Sequence, residues 1–199
     1  MRVNRRTQRE RSDTTRAALL AAARPLFAEH GFAAVGTEAI VRAAGVTRGA
    51  LYHQFTDKTE LFAAVFELVE QELVEQIGLS LADVADPGEV LAAGVDAWLD
   101  ACSEPAVQRI VLIEAPAVLG WERWRAVGQA NGIGLVEAAL HAAIADGRIR
   151  EQPVRPLAHV LIGALDEAAI YVARSDDQDA AREQMRAVLA GIISGLQRA

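Results

Sequence analysis

Residues 37–61 read TEAIVRAAGVTRGALYHQFTDKTEL, and the fold turns on how this stretch divides. Glu38–Ala44 has the composition of a short helix, with Thr37 as its expected N-cap and Glu38 at its positive end. Gly45 can adopt the left-handed backbone angle that ends a helix, and Val46 fills the turn. Thr47 then caps a second short helix running to about Gln54. Two helices of about this length, joined at Ala44-Gly45-Val46, make a helix-turn-helix. Asp57 caps a longer helix in which Leu61, Phe62, Val65, Leu68, Val69 and Leu73 form an apolar stripe. Lys58 opposes the dipole at the start of that helix, so a nearby anion is expected to compensate.

Upstream, Ser12-Asp13-Thr14 offers caps for a helix with Ala18, Leu19, Ala22, Ala23, Leu26 and Phe27 at helical spacing, ending at Gly31. Pro25 inside it predicts a bend. Ile40, Ala43, Val46, Ala50, Leu51 and Phe55 are expected to form a small core with Leu26, Phe27, Phe32 and Phe62. That packing leaves Thr47, Arg48, Gly49, Tyr52 and His53 along the outer side of the second short helix.

These outward groups suit a DNA duplex. Arg48 can donate two hydrogen bonds to a guanine edge or pair with phosphate. The hydroxyls of Thr37 and Thr47, beside helix N-terminal N–H groups, suit phosphate oxygens. Gly49 lets the backbone come close, Tyr52 can reach a phosphate, and Lys58, the sole lysine, can complete the phosphate grip. Taken singly, Tyr52 and His53 have an alternative reading as half-buried packing residues with satisfied polar tips.

The combined pattern from Thr37 to Leu61, with Gly45, Thr47, Gly49, Tyr52, Phe55 and Lys58 at fixed spacing, resembles the signature of the TetR family of bacterial transcriptional regulators. Leu26-Phe27 and Gly31-Phe32 resemble the end of that family's first helix, so the resemblance covers about residues 14–66. Val41, where alanine is commoner, and Pro25 depart from the pattern without touching the proposed DNA surface. The resemblance implies a homodimer that places two recognition helices in successive major grooves of a near-palindromic operator. It also implies repression relieved by a small-molecule effector, while leaving the pocket residues unassigned.

Beyond the motif, almost everything reads as helix, and the fold class expected is all-α: an N-terminal helix-turn-helix domain followed by a larger helical ligand-binding and dimerisation domain. The divisions are a basic arm at 1–12, the DNA-binding domain at 13–66 with its fourth helix continuing to about 76, and the effector and dimerisation domain at 77–199. Arg2, Arg5, Arg6, Arg9 and Arg11 make the arm either a DNA contact or a solubilising tail. Asp86-Pro87-Gly88 breaks the chain, and further helices are expected at about Glu89–Cys102, Pro105–Ala115, Trp121–Asp146, Arg155–Arg174 and Asp177–Gln197. The chain's net charge of −7 divides into +4 over residues 1–60 and −11 over the rest, a basic head on an acidic body. All five Phe lie at or before Phe66 and all three Trp at or after Trp98, which predicts two separate cores.

In the last helix Ala181, Met185, Val188, Leu189, Ile192 and Leu196 share a stripe. The preceding helix offers Ala158, Leu161, Ile162, Leu165, Ala169 and Val172, so these two helices are expected either to dimerise as a four-helix bundle or to serve the chain's own core. Polar groups in apolar surroundings suggest an effector pocket for a mainly apolar ligand with one or two polar groups. The candidates are Trp98, Glu114, Trp121, Trp124, His159, Asp166 and Tyr171, with His141 beside them. A single cysteine, Cys102, excludes an internal disulfide and any cysteine-based zinc cluster. No cofactor, metal or catalytic residue is expected. No secretory signal or membrane partner is expected either, since uncharged stretches reach only 11 residues and the location expected is cytoplasmic. Two rivals remain: a small helical enzyme acting on the ligand, with Cys102 and a few Ser and Thr as nucleophile candidates and a Cys102/His159 pair among the possibilities, and an effector-free DNA-binding protein.

Overall fold

The computed structural model describes residues 8–197, with Pro87 described by its backbone alone. Among the described residues ten α-helices follow in order. The head consists of α1 (Gln8–Ala34), α2 (Thr37–Ala44), α3 (Arg48–Gln54) and the first part of α4 (Lys58–Leu81). The body adds α5 (Pro87–Ala101), α6 (Pro105–Val107), α7 (Ala115–Leu119), α8 (Trp121–Ala145), α9 (Val154–Ala173) and α10 (Gln178–Leu196). No strand forms among the described residues, only an isolated antiparallel bridge between Ile149 and Gln197.

Local chemistry explains most boundaries. Gly45 takes φ 65° and ψ 28° at the end of α2, while the Thr47, Asp57 and Asp177 side chains accept backbone N–H groups at the starts of α3, α4 and α10. At α2 the expected cap is displaced. Gly36 is the N-cap, with no side-chain hydrogen bond, and Thr37 is already the first helical residue. In α1 the break lies at Gly31, with φ 77°, so its last residues form a separate turn beyond the kink. Arg2, Arg5 and Arg6 lie outside the described residues, whereas Arg9 and Arg11 belong to the exposed first turns of α1. Between α6 and α7, Gln108–Glu114 is a π-helical stretch that periodicity did not predict.

The two cores do not divide where the aromatics suggested. One cluster runs from Leu19, Phe27, Ile40 and Leu51 along α4 into Ile110, Trp124 and Ile170, so head and body share it. The second, built around Leu91, Leu99, Leu140, Leu161 and Leu189, joins α5, α8, α9 and α10. Within the head, Ala43, expected in the core, is exposed, and Val41 is buried in its place. Among the described residues α9 alone is long and apolar enough to cross a membrane, and its Ala158, Leu161 and Ala169 are instead buried in the two clusters.

Candidate functional site

α3 is held by its inner face and free on its outer one. Leu51 is wholly buried and Phe55 almost so, with the Arg16 guanidinium 4.5 Å from the Phe55 ring centre. Gln54 Nε2 donates to Ser12 Oγ at 2.7 Å, a second tie to α1. With that face fixed, Thr47, Arg48, Gly49, Tyr52 and His53 are all exposed, which sets aside the packing alternative for Tyr52 and His53.

Arg48 Nη1 donates to Glu38 Oε1 at 3.1 Å, and its guanidinium lies 5.6 Å from the Tyr52 ring centre. Both partners of this ion pair are mostly exposed, and such pairs contribute about 0–1 kcal/mol, so Arg48 can exchange Glu38 for a base or phosphate at small cost. Gly49 has no internal reason to be glycine: a Cβ there would meet only Thr47 Oγ1, at 3.9 Å. Thr37 is half-buried at the start of α2.

Lys58 is engaged differently from the expectation. Its Nζ donates to the carbonyls of Phe32 at 2.9 Å and Val35 at 3.0 Å, and lies 4.1 Å from the Phe32 ring centre. The chain's own carbonyl oxygens therefore offset the charge at the start of α4, and no external anion is required. One of its three N–H donors remains beyond these two bonds. Two residues on, Glu60 binds Arg123 of α8 through bonds of 2.6 and 3.1 Å, which hold its carboxyl below the ordinary range.

A second candidate site is a cavity of about 100 Å3 within the body, bounded by α4, α5, α8, α9 and α10. A water needs ~10–15 Å3 on this scale, so the space admits more than isolated solvent. Its walls are apolar except at one end, where Glu70 and Asp166 line it. Arg125 Nη1 bonds Asp166 at 2.5 Å and Nη2 reaches the His159 carbonyl at 3.4 Å. Burial nevertheless outweighs Arg125 and raises the Asp166 carboxyl to about 6. Glu70 is 4% exposed and is raised to about 7 by burial, with the neighbouring Asp166 charge adding to the effect.

Comparisons with known proteins agree with this architecture. The family model described as tetracyclin repressor-like, C-terminal domain, matches residues 88–196, and that of the bacterial regulatory proteins, tetR family, matches residues 19–65. The chain belongs to the TetR family. A crystallised TetR-family transcriptional regulator of Pectobacterium atrosepticum is 34% identical, with TM-score 0.86, over 98% of this chain and 99% of its own. The Tn10 TetC protein of Escherichia coli is 24% identical over 98% of both chains. The transcriptional activator FasR of Mycolicibacterium smegmatis is 36% identical over 97 residues, and that match spans only 44% of FasR. The protein is thus a TetR-family transcriptional regulator with a helix-turn-helix head.

In this TetR-family chain, Trp98 and Asp166 are the expected pocket residues that line the cavity; the Trp98 indole N–H donates to the Leu165 carbonyl at 3.0 Å. The others lie elsewhere. Trp124 is buried in the shared cluster with its indole N–H on the Val111 carbonyl at 2.8 Å, and Trp121 is exposed beside it. Glu114 approaches Gly31 at the kink of α1, Tyr171 and His141 are exposed, and His159 contributes its carbonyl to Arg125. Glu70 was missed, although it continues the α4 stripe at helical spacing between Phe66 and Leu73. Cys102 is buried, and burial, then Glu70 and Asp166, push its thiol well up, which disfavours the thiolate a nucleophile needs.

Proposed function

We propose that this regulator is a cytoplasmic homodimeric repressor that reads a near-palindromic operator with α3 and leaves it when a small, mainly apolar effector enters the body cavity. The observation that carries the reading is the outer face of α3, where Thr47, Arg48, Gly49, Tyr52 and His53 are exposed while Leu51 and Phe55 fix the helix from within. Thr37 and the remaining Lys58 donor flank that face as phosphate contacts.

The dimer is supported by what the body leaves uncovered. Ala158, Leu161, Ile162, Ala181 and Leu189 serve the chain's own core, whereas Val160, Tyr171, Val188 and Ile192 are 65, 45, 56 and 44% exposed on α9 and α10. Four large apolar side chains on adjacent helices fit a two-fold copy of themselves. Light scattering is expected to give twice the chain mass at micromolar concentration, and a monomer would remove the dimer.

Control is supported by α4. Its first turn is tied to α1 through Lys58 and to α8 through Glu60, and the same helix lines the cavity at Glu70, Val74 and Ile77. A ligand that changes how α4 packs would move the head, provided it favours one arrangement: shifting 1:99 to 99:1 needs about 5.5 kcal/mol of preference.

Arg48→Ala is expected to lower operator affinity by roughly 10–100-fold and to relax preference at one base position, as loss of a bidentate contact worth about 1–3 kcal/mol requires. Titration of operator variants at several salt concentrations measures both. An unchanged base preference would refute the assignment of Arg48.

A further inference from the structure

Glu70 is the single buried charged residue among the described residues, and it has no hydrogen-bond or ion-pair partner there. It lines the cavity from α4 together with Asp166 on α9, which Arg125 of α8 binds; the charges of both carboxyls reach the Cys102 thiol at the end of α5. The one guanidinium at that end is committed to Asp166 at 2.5 Å, and the Glu70 carboxyl is left without a cation.

Space is kept open beside the unpaired carboxyl. Gly128 and Gly132 lie one turn apart on the α8 wall. A Cβ at Gly128 would stand 4.0 Å from Glu70 Oε1, and one at Gly132 would meet nothing within 4 Å. An ionised carboxylate in such a place is unfavourable until a partner of opposite charge fills the gap. Anionic ligands meet two carboxyls there, and a neutral hydroxyl leaves the charge uncompensated.

We infer that the cavity takes a compact, mainly apolar molecule carrying one protonated amine, with the ammonium seated against Glu70 and the hydrocarbon against the apolar walls. This inference names the effector class for the cavity proposed above and rests on that reading. Because Glu70 is raised to about 7, an ammonium that requires its ionised form binds more tightly as pH rises. The gain is roughly tenfold between pH 6 and pH 8 for a group titrating near neutrality. Asp166, raised to about 6, lines the same end with Arg125 bound to it, and both carboxyls act on the Cys102 thiol, so the variant Glu70→Gln is needed to isolate the Glu70 contribution.

The test is calorimetry on the full chain with toluene, benzyl alcohol and benzylamine as probes. At pH 8 benzylamine is expected to bind at least tenfold more tightly than benzyl alcohol, with the excess shrinking towards pH 6 and proton release on binding at pH 7. Glu70→Gln, its folding checked by a cooperative melt, is expected to erase that preference and the proton release. Benzyl alcohol or toluene binding as tightly as benzylamine would overturn the amine inference while leaving the effector cavity standing. A preference that survives in Glu70→Gln would also overturn it, and failure of all three probes would overturn the cavity reading together with it.

Discussion

In the head, Phe62 meets Phe27 and Phe32 edge to face at 5.2 and 5.3 Å between ring centres, and Leu19, Ile40 and Leu51 close around them with no exposure. In the body, five helices surround a hollow whose polar end holds an unpaired carboxyl. The head uses dense packing to fix one helix and keep its outer face constant. The body gives up packing and leaves a charge uncompensated, both of which reduce stability without a ligand and make room for one. The proposed reading surface and the proposed effector cavity thus go with opposite treatments of the interior.

The contrast breaks first if the head proves tolerant of truncation. Phe62→Ala removes a wholly buried ring with two edge-to-face partners and is expected to cost about 3–5 kcal/mol in chemical denaturation. Leu135→Ala, on the cavity wall where neighbours are already missing, is expected to cost about 2 kcal/mol, the low end for such a change. Equal losses would mean that Leu135 is packed as tightly as Phe62 and that the two interiors are alike.

Glu70 sharpens the comparison through pH. Its carboxyl is raised from 4.5 to about 7 on folding, so the folded state binds the proton more tightly than the unfolded chain. Stability then falls as pH rises from the unfolded value through about 7, and levels off above it. In Glu70→Gln that loss disappears. The stability of the variant relative to the parent is expected to improve by about 3 kcal/mol between pH 4.5 and pH 8, the equivalent of the Glu70 shift. Parallel pH–stability curves for the two proteins would show that Glu70 is solvated or paired after all.

What was legible in the sequence follows the range of the interactions. The turn at Gly45 and the caps Thr47 and Asp57 act within three or four residues, and all stand where the sequence places them. The acceptors of Lys58 lie 26 and 23 residues away, and no local pattern names them. Thr37 loses its capping role to Gly36 by a single position, because the extended backbone of Gly36 already ends the connection from α1. Helix order in the body was readable from its Pro and Gly breaks, but the cavity was not. Its walls come from five helices, and burial of Trp124 or exposure of Tyr171 depends on how they meet. Glu70 did leave a trace, a charge at an apolar position of a helical stripe, and in-helix Gly128 and Gly132 left another.

The smallest expected effects come from two helical glycines, one in each region. Gly49 lies in the first turn of α3 on the outer face of the head, and Gly132 lies within α8 on the cavity wall. Neither has a positive φ, and a Cβ would be in ordinary contact at Gly49 and in open space at Gly132. Alanine is therefore expected to be accommodated at both and to raise stability by up to ~1 kcal/mol, since glycine is the poorer helix former. The resting fold thus does not require glycine at either position. If the division of labour holds, the costs separate. Gly49→Ala weakens operator binding, because a methyl group intrudes where the backbone must approach DNA, and leaves benzylamine affinity unchanged. Gly132→Ala does the reverse, narrowing the cavity from the α8 wall while operator affinity of the ligand-free protein stays the same. Operator titration and calorimetry on both variants check the crossed pattern; a Gly132→Ala protein that loses DNA without ligand would show that the cavity wall and the reading helix are already coupled in the resting state.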